Sequence, residues 1–556
     1  MRTAGSRLGP VDRLEALRRL TEQEFDIIVV GGGVTGAGTA LDAASRGLSV
    51  ALLEARDLAI GTSSRSGKTF HGGLRYLEQL NFSLVRQAAH ERNLMVDRLC
   101  PHLTRPTPFL FPLTRRVVER PYVGAGVLLY DLLGGARRTM PRHRHLTKTG
   151  ALRELPALRP GRITGALQYY DAIFDDARHT MTVARTAARF GAQVATYLEV
   201  TGVLRAADRV IGVRASDHET GQEIDVRGRC VVSATGVWAD HLQELAGKAN
   251  VEVRPAKGVH IVVPRDRIRS QTGLIARTAD SVLVIRPWGQ FWLIGTTDTP
   301  WDHGRDDPAA NSSDVDYLLE QVNSWLEPAI SRDDIVGVYA GLRPLLKGDA
   351  ESSAALSRDH AVLAGPDGML TVVGGKYTTY RVMAEDAVDA AAKWLDRPPA
   401  PSCTQDTPLI GADGWAVLRH QVGRLSQESG LPPELIERLL GRYGSLVDDL
   451  FELIAGRPEL AEPIGGAPPY LQVEAVYAAS HEGARHLDDV LVRRTHIAME
   501  TPDRGLAAAA QVAALVGDVL GWDEQTRRDE VSRYAAQIDA DLRAEAVPTD
   551  NPGHGN

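Results

Sequence analysis

Residues 25–36 are FDIIVVGGGVTG, an apolar run followed at once by a glycine-rich turn. A continuous apolar run of this length is typical of a strand that is buried on both faces of a parallel sheet. The small residues that follow predict a helix over 37–46, and 48–54 is predicted to form a second strand. The pattern therefore indicates a β-α-β unit and an α/β fold.

The glycine-rich turn fits the pattern G-x-G-x-x-G through Gly31, Gly33 and Gly36. Gly31 permits a tight turn, Gly33 lets a pyrophosphate approach the backbone, and Gly36 lets the helix and strand pack closely. The free N–H groups at the start of the helix then face the phosphates. Glu54 ends the second strand at roughly the 20-residue spacing of the pattern, where a carboxylate accepts hydrogen bonds from ribose hydroxyls. A dinucleotide site is therefore predicted.

Two later segments favour FAD over NAD as the dinucleotide. Residues 231–238 (VVSATGVW) form an apolar strand that runs into a turn of small residues, and 374–381 (GGKYTTYR) is another strand-to-helix turn with free backbone donors. FAD is long and contacts several parts of its fold, so it needs additional loops of this kind. An NAD-dependent dehydrogenase would leave both turns unexplained.

Composition limits the remaining classes of function. A chain of 556 residues suggests two to four domains, and its net charge of -8 gives no overall indication of nucleic-acid binding. The three cysteines are far apart, which indicates neither a disulfide framework nor a metal site, and a cytoplasmic location is expected. The N-terminus has no apolar signal region, and no apolar stretch reaches the ~18 residues of a membrane span.

The predicted architecture is a Rossmann-like FAD-binding domain, an antiparallel-sheet substrate domain and an α-helical C-terminal domain. Strand patterns between about 256 and 300 predict the antiparallel sheet, and Pro398, Pro399 and Pro401 mark a linker. The predicted parts are a helical extension (1–24), an oxidoreductase core (25–395), a helical domain (396–545) and a disordered tail (546–556). Within the core, about 25–105, 170–255 and 335–395 are assigned to FAD binding, and about 106–169 and 256–334 to the substrate domain.

Several short motifs resemble one family of flavoproteins. They are TSS at 62–64 with Lys68, HGGLRYLE at 71–78, DDAR at 175–178, KGVH at 257–260, IGTTD at 294–298, GLRPL at 341–345, SRD at 357–359, GGKYTTYR at 374–381 and LDDVLVRRT at 487–495. In order and over residues 25–540, they resemble the FAD-dependent, quinone-linked glycerol-3-phosphate dehydrogenases of the D-amino-acid-oxidase-like superfamily. The chain departs from that pattern at Gly67, where serine is more common, and at Thr69 and Tyr377, where leucine is more common.

The resemblance implies oxidation of sn-glycerol 3-phosphate to dihydroxyacetone phosphate, with hydride transfer from C2 to N5 of FAD and electrons passed to a membrane quinone. A buried site must neutralise the substrate phosphate, and arginine and lysine suit that purpose. The residues that the resemblance assigns to substrate are Arg75, Tyr76, Arg343, Arg358, Lys376 and Thr379.

The resemblance also assigns residues to the cofactor and to catalysis. Thr62, Ser63 and Lys68 are expected to bond to the ribityl or pyrophosphate part of FAD. The other expected cofactor residues are Gly72, Gly73, Leu74, Ala234, Gly236, Gly341, Gly375, Lys376 and Thr378. His71 is the first choice for the base or the orienting group, because imidazole titrates near neutral pH. His260 could face the flavin, and Arg343 could stabilise the developing alkoxide. The sequence does not separate base from orienter.

Three alternatives to a dehydrogenase stay open. An oxidase would pass its electrons to oxygen, and an amine or amino-acid oxidase could use the same fold. The second would leave Arg75, Arg358 and Lys376 without a common purpose, because its substrate has no phosphate. A non-catalytic flavin-binding protein would not need His71 or these cations.

A surface segment between Arg105 and Arg153 indicates a membrane contact. It joins the apolar run 122–130, too short to span a bilayer, to the cations Arg115, Arg116, Arg120, Arg137, Arg138, Arg142, Arg144 and Lys148, opposed only by Glu119 and Asp131. Such a pattern suits docking on anionic lipid, so peripheral association with the inner face of the cytoplasmic membrane is predicted. A solvated basic loop beside a core helix is the alternative. A homodimer is a further expectation.

Overall fold

The computed structural model describes residues 5–77, 81–115, 119–134, 140–247, 252–278, 282–346, 360–365 and 367–549. In chain order its strands β1–β18 are Glu24–Val30, Val50–Leu53, Thr69–Phe70, Thr104–Leu113, Arg144–Thr147, Gly165–Phe174, Gln193–Ala195, Leu198–Ala206, Arg209–Asp217, Glu223–Ser233, Val253–Pro264, Gly273–Arg277, Val282–Trp288, Phe291–Gly295, Thr299–Pro300, Gly337–Leu346, His360–Ala364 and Met369–Gly374. Its helices α1–α17 are Pro10–Glu22, Val34–Ser45, Phe82–Leu94, Glu119–Leu133, Lys148–Glu154, Asp176–Arg189, Ala239–Leu245, Ser312–Trp325, Tyr380–Ala391, Trp415–Arg419, Val422–Ser429, Pro433–Tyr443, Val447–Gly456, Gln472–His481, Ile497–Glu500, Leu506–Leu520 and Glu524–Ala546.

The first sheet holds the predicted β-α-β unit, which the structure confirms. Its strand order is β17-β18-β10-β1-β2-β7, and β1 pairs in parallel with both β2 and β10. Ile27, Ile28 and Val29 are fully buried, as the continuous apolar run predicts. Helices α2, α6 and α9 pack together on this sheet, and the alanines of α2 allow their close approach. The carboxyl ends of β1, β10 and β18 therefore meet at one edge.

The second sheet contains the predicted antiparallel strands, but it is larger than the sequence suggests and is mixed, because β12 pairs with β4 in parallel. Its order is β15-β11-β14-β13-β12-β4-β6-β3, with β16 on β11 and β5 on β6. Strand β16 lies within residues 335–395, which the sequence assigns to the FAD-binding part, but it pairs with β11 along its length. The pairing is a long-range contact with β11, which the local sequence of β16, GVYAGLRPLL, does not indicate. That pairing brings Arg343 next to β11.

The buried face of the N-terminal helix α1 differs from the predicted one. The sequence suggests an inward face of Leu14, Leu17 and Leu20, but Leu14 is 66% exposed. The inward residues are Arg13, Ala16 and Leu20. Arg13 turns inward because its guanidinium forms a buried ion pair with Asp217 at 2.5 Å.

Helices α10–α17 form the C-terminal domain around an apolar core of their own. Helix α16 has the predicted bounds, Leu506–Leu520. Helix α17, with 23 residues, lies in the predicted helical domain, but its few apolar residues form no wide apolar face that would predict it as a separate helix. Its exposed surface carries ion pairs between residues three or four apart, such as Arg543 with Asp539.

Buried ion pairs join the C-terminal domain to the first sheet. Asp57 follows β2, and its carboxylate accepts hydrogen bonds from Arg494 at 2.6 and 2.7 Å and from Arg493. Both arginines belong to a π-helical segment, Asp489–Thr495, and all three side chains are almost fully buried. Glu482 binds Arg178 of α6 in the same way, at 2.8 Å. The LDDVLVRRT motif therefore fixes the loop that follows β2.

We expect Asp57→Asn to lower the free energy of unfolding by about 3–5 kcal/mol, because it leaves two buried arginines without their shared carboxylate. The arginines hold the pKa of Asp57 below its usual range. Its contribution is therefore complete above about pH 4 and declines as the pH falls. Denaturant unfolding at neutral and acidic pH measures both effects.

The matched control is Asp225→Asn, which breaks an exposed pair with Arg214. That change is expected to cost less than about 1 kcal/mol. Equal losses in the two variants would show that the buried pair has no special role.

Candidate active site

A cavity of about 1170 Å³ runs along the edge where the two sheets meet. One end is formed by the turn after β1 and by Glu54. The other end lies against the cavity face of the second sheet and the turn after β18. Its walls hold most of the residues that the sequence analysis selects: Gly31, Gly33, Glu54, Thr62, Ser63, His71, Gly73, Leu74, Tyr76, Ala234, Gly236, His260, Gly341, Arg343, Gly375, Lys376 and Thr378.

The turn after β1 has the geometry of a phosphate-binding loop. Gly31 has φ +107°, a value that favours glycine. A Cβ atom on Gly36 would lie 1.9 Å from the carbonyl oxygen of Gly31, so only glycine permits this contact between α2 and the turn. Gly36 itself lies behind the cavity wall. The N-terminus of α2 therefore opens directly into the cavity, where its N–H groups suit a pyrophosphate.

Two polar side chains complete this end of the cavity. Glu54 accepts hydrogen bonds from the backbone N–H of Gly32 at 2.6 Å and of Arg56 at 2.9 Å. Each carboxylate oxygen keeps a lone pair that suits a ribose hydroxyl. Burial raises the pKa of Glu54, and the hydrogen bonds from these two N–H groups offset part of that rise. The Ser63 hydroxyl accepts the N–H of Val34 at 2.9 Å, so its own hydrogen is available to a ligand.

Four other predicted residues, Lys68, Gly72 and Thr62 for the cofactor and Thr379 for the substrate, have hydrogen-bond or ion-pair partners within the protein. The ammonium of Lys68 is buried in an ion pair with Asp176 at 2.5 Å. Gly72 donates its N–H to the hydroxyl of Tyr130 at 2.8 Å. The hydroxyl of Thr379 donates to the Lys376 carbonyl at 3.3 Å. Thr62 reaches the cavity, but its hydroxyl donates to Leu342 at 2.6 Å.

The turn after β18 brings a cation to the far end of the cavity. The ammonium of Lys376 lies 3.6 Å from the ring centre of Tyr76, a cation–π contact. Tyr76 follows the HGG turn, so segments about 300 positions apart in the chain meet here. Arg358 and the side chain of Arg75 lie outside the described residues.

Arg343 lies beside this end and is held firmly. Its guanidinium donates to Asp298 at 3.0 Å, to the hydroxyl of Thr296 at 3.1 Å and to the Thr297 carbonyl at 3.1 Å. Asp298 offsets part of its charge. These contacts fix a positive charge at the cavity wall before any ligand enters, which is the arrangement that electrostatic stabilisation requires.

His260 faces the cavity from β11 as a neutral imidazole. It is 3% exposed and stacks on Tyr339 with ring centres 4.8 Å apart. Neither ring nitrogen has a hydrogen-bond partner among the described residues. Burial, with the nearby charges of Arg286 and Arg343, holds the pKa of His260 well below its usual value. His260 therefore offers an unprotonated nitrogen to a ligand.

A buried network that the sequence analysis missed supports the turn that carries His71. Asp171 accepts hydrogen bonds from the Tyr130 hydroxyl at 2.5 Å and from Arg92 at 2.7 Å, and Tyr130 contacts the turn through Gly72. The sequence contains a signal for this network, because Asp171 is the one charged residue in strand β6. Asp298 and Arg286 were missed for a different reason, because their partners are far away in sequence.

Comparison with known proteins agrees with this geometry. Residues 26–381 match the family model described as FAD dependent oxidoreductase, and residues 402–527 match the C-terminal domain of alpha-glycerophosphate oxidase. The chain is 52% identical over 544 residues to "Glycerol-3-phosphate dehydrogenase 2" of Mycobacterium bovis, covering 98% of this chain and 93% of that one. It belongs to the FAD-dependent glycerol-3-phosphate dehydrogenase family.

More distant relatives extend the match to eukaryotes and to a solved structure. The mitochondrial glycerol-3-phosphate dehydrogenase of Mus musculus is 35% identical over 531 residues, covering 91% of this chain and 72% of that one. The FAD complex of the glycerol-3-phosphate dehydrogenase from Bacillus halodurans superposes with a TM-score of 0.78 at 26% identity, covering 98% and 99% of the two chains. The cofactor predicted from the sequence, FAD, is confirmed. Within the described parts of the chain, no helix has the length and apolar character of a membrane span.

We expect Gly36→Ala to abolish or strongly weaken FAD binding, because the new methyl group would collide with the carbonyl of Gly31 and push α2 away from the turn. The ratio of flavin to protein absorbance in the purified variant measures retention, and titration of the apoprotein with FAD measures affinity.

Gly423→Ala is the matched control, because Gly423 lies in the exposed helix α11 with nothing within 4 Å of the added carbon. It should retain its flavin. A yellow Gly36→Ala protein with unchanged FAD affinity would contradict the assignment of this turn to the cofactor.

Proposed function

We propose that this protein oxidises sn-glycerol 3-phosphate to dihydroxyacetone phosphate by hydride transfer from C2 to FAD. The observation that carries the proposal is the convergence of Arg343 and Lys376, from separate segments, on a cavity that also holds His71 and His260. The named activity of the 52%-identical relative supports the same substrate.

The charge of the cavity suits a phosphorylated alcohol better than an amine or an amino acid. The substrate phosphate carries nearly two negative charges at neutral pH, and burial without a cation would be very costly. Arg343, although paired with Asp298, and Lys376 both bring a positive charge to the cavity wall. Arg75 and Arg358, which the sequence resemblance assigns to the phosphate, would add to it.

The proton of the C2 hydroxyl needs an acceptor while bound FAD supplies N5 for the hydride. His260 has a depressed pKa, so it stays neutral and accepts a hydrogen bond but holds a proton weakly. A good general base has a pKa near the working pH. We therefore assign removal of the C2 hydroxyl proton to His71. The neutral His260 accepts a hydrogen bond from the neighbouring C1 hydroxyl and so orients the substrate, and Arg343 stabilises the developing alkoxide.

Adding glycerol 3-phosphate to the oxidised protein without oxygen should bleach the flavin, faster at higher pH because the base must be neutral. His71→Asn should slow bleaching by about 10²–10⁴-fold and remove that pH dependence. His260→Asn should cost roughly tenfold, the effect of one hydrogen bond, and keep the pH dependence.

Stopped-flow absorbance measures the rate of flavin bleaching in the wild type and in both variants. A wild-type flavin that stays yellow would reject the proposed substrate. Loss of the pH dependence in His260→Asn instead of His71→Asn would reverse the two roles.

We further propose that the electrons pass to a quinone at a membrane surface, and helix α4 supports this. The helix buries Val127 and Tyr130 but leaves Tyr122, Leu128 and Leu132 exposed by 61%, 50% and 68%. These three lie on one face of the helix. The nearby cations Arg115, Arg142, Arg144 and Lys148 are also exposed, whereas Arg116, Arg137 and Arg138 lie outside the described residues. An exposed apolar face beside cations suits anionic lipid.

The double variant Leu128→Glu with Leu132→Glu should bind anionic liposomes roughly 100-fold more weakly, since it replaces apolar contacts by charges that lipid repels. It should keep its rate with a soluble dye but lose reduction of a quinone dissolved in the liposomes. Sedimentation and quinone absorbance measure the two effects.

The matched control is Val417→Glu, at a residue of α10 that is 60% exposed in the C-terminal domain. It should behave as the wild type. Wild-type protein that fails to sediment at low salt would reject the membrane face. Peroxide formation as fast as dye reduction would favour the oxidase alternative. The predicted homodimer stays a prediction.

A further inference from the structure

Arg286 is a buried cation of the reaction cavity that the proposed mechanism does not use. It lies on β13, where Val282, Val284 and Arg286 alternate onto the face that lines the cavity. The side chain is buried, with the residue only 3% exposed. One terminal N–H donates to the carbonyl of Gly67. The Nε atom has no hydrogen-bond partner among the described residues.

Three other cations, of which Lys68 and Lys257 are fully buried, have a carboxylate partner. Lys68 pairs with Asp176 at 2.5 Å, Lys257 with Asp314 at 2.7 Å and Arg343 with Asp298 at 3.0 Å. No carboxylate of the described residues lies within ion-pair distance of Arg286. A buried charge without a counter-charge is strongly unfavourable. An anion that enters the cavity would supply the negative charge that the described residues do not place beside Arg286.

The lack of a side chain at Gly67 leaves room for the guanidinium of Arg286. A Cβ atom at Gly67 would lie 2.9 Å from the terminal nitrogen of Arg286, so the guanidinium occupies the space that a side chain would fill. This is a position at which the chain departs from the serine that the family more often has. The absence of a side chain at 67 and the arginine at 286 are therefore coupled.

We propose that Arg286 forms an oxyanion-binding position in the reaction cavity, distinct from that of Arg343. The sheet register separates the two. Arg343 pairs with Ala256 on β11, whereas Arg286 lies across β14 from Val262, so His260 falls between the two positions along the strand direction.

The ligand chemistry is a phosphate or carboxylate group, and it has two sources. Arg286 either shares the phosphate of a phosphorylated alcohol or binds a carboxylate at the other end of a phosphorylated hydroxy acid. Only the first source rests on the proposed substrate. The position itself does not require glycerol 3-phosphate.

The test uses oxidised holoenzyme, Arg286→Met and a control, Arg254→Met, which removes an exposed arginine of β11. Binding of inorganic phosphate and of 3-phosphoglycerate is followed by the change in flavin absorbance, and KM is measured for glycerol 3-phosphate. Loss of one charged hydrogen bond should weaken anion binding about 10- to 100-fold in Arg286→Met. Arg254→Met should match the wild type.

The pattern of losses identifies the source. Equal weakening of 3-phosphoglycerate and glycerol 3-phosphate places the phosphate at Arg286, and weakening of 3-phosphoglycerate alone places a carboxylate there. If glycerol 3-phosphate does not reduce the wild-type flavin, the inorganic phosphate titration still decides. Unchanged binding of every anion in Arg286→Met would overturn the proposal.

Two further variants protect the test against misfolding. Arg286→Lys keeps the charge and should retain part of the anion affinity. Gly67→Ser keeps the arginine but displaces its guanidinium, so anion binding should weaken in the same direction as in Arg286→Met. Wild-type affinity in Gly67→Ser, with the flavin retained, would count against the coupled pair.

Discussion

Neutralisation of buried charge is the constraint on which this structure depends. The fold buries many arginines, lysines and carboxylates, and nearly every one described in the core has an opposite charge within hydrogen-bonding distance, as in Arg178 with Glu482 and Lys68 with Asp176. A buried pair contributes little net stability, but removing one partner is very costly. The few positions where the balance is incomplete therefore stand out, and they lie in the cavity.

The same constraint explains how the C-terminal domain contributes to a site that it does not line. In the sequence, Asp57 lies between two residues that line the cavity. These are Glu54, at the predicted ribose end, and Ser63, beside the N-terminus of α2. Its carboxylate is held by Arg493 and Arg494 from the helical domain. Removing that domain would leave Asp57 as an unpaired charge in the loop that lines the cofactor end. The domain acts by fixing the loop.

The sequence predicts those parts of the fold whose causes are local. The apolar run before Gly31 and the glycines after it predict the β-α-β unit, because the signals for a buried strand and for a tight turn lie in neighbouring residues. Strand β16, by contrast, joins its sheet through long-range pairing with β11. Lys68 shows the same limit at the level of the site. A motif assigns Lys68 to the cofactor, but its ammonium forms an ion pair with Asp176, more than a hundred positions away.

The cations that suit the cavity to a phosphate also determine which histidine can remove a proton. Arg286 and Arg343 lie near His260, and their positive charges oppose its protonation in addition to the effect of burial. Cations placed to bind the proposed dianionic substrate thus make the deeply buried imidazole of His260 a poor base. Proton removal is then better served by a histidine on the turn after β3, as His71 is. The proposed phosphate binding and the proposed roles of the two histidines therefore share one electrostatic cause.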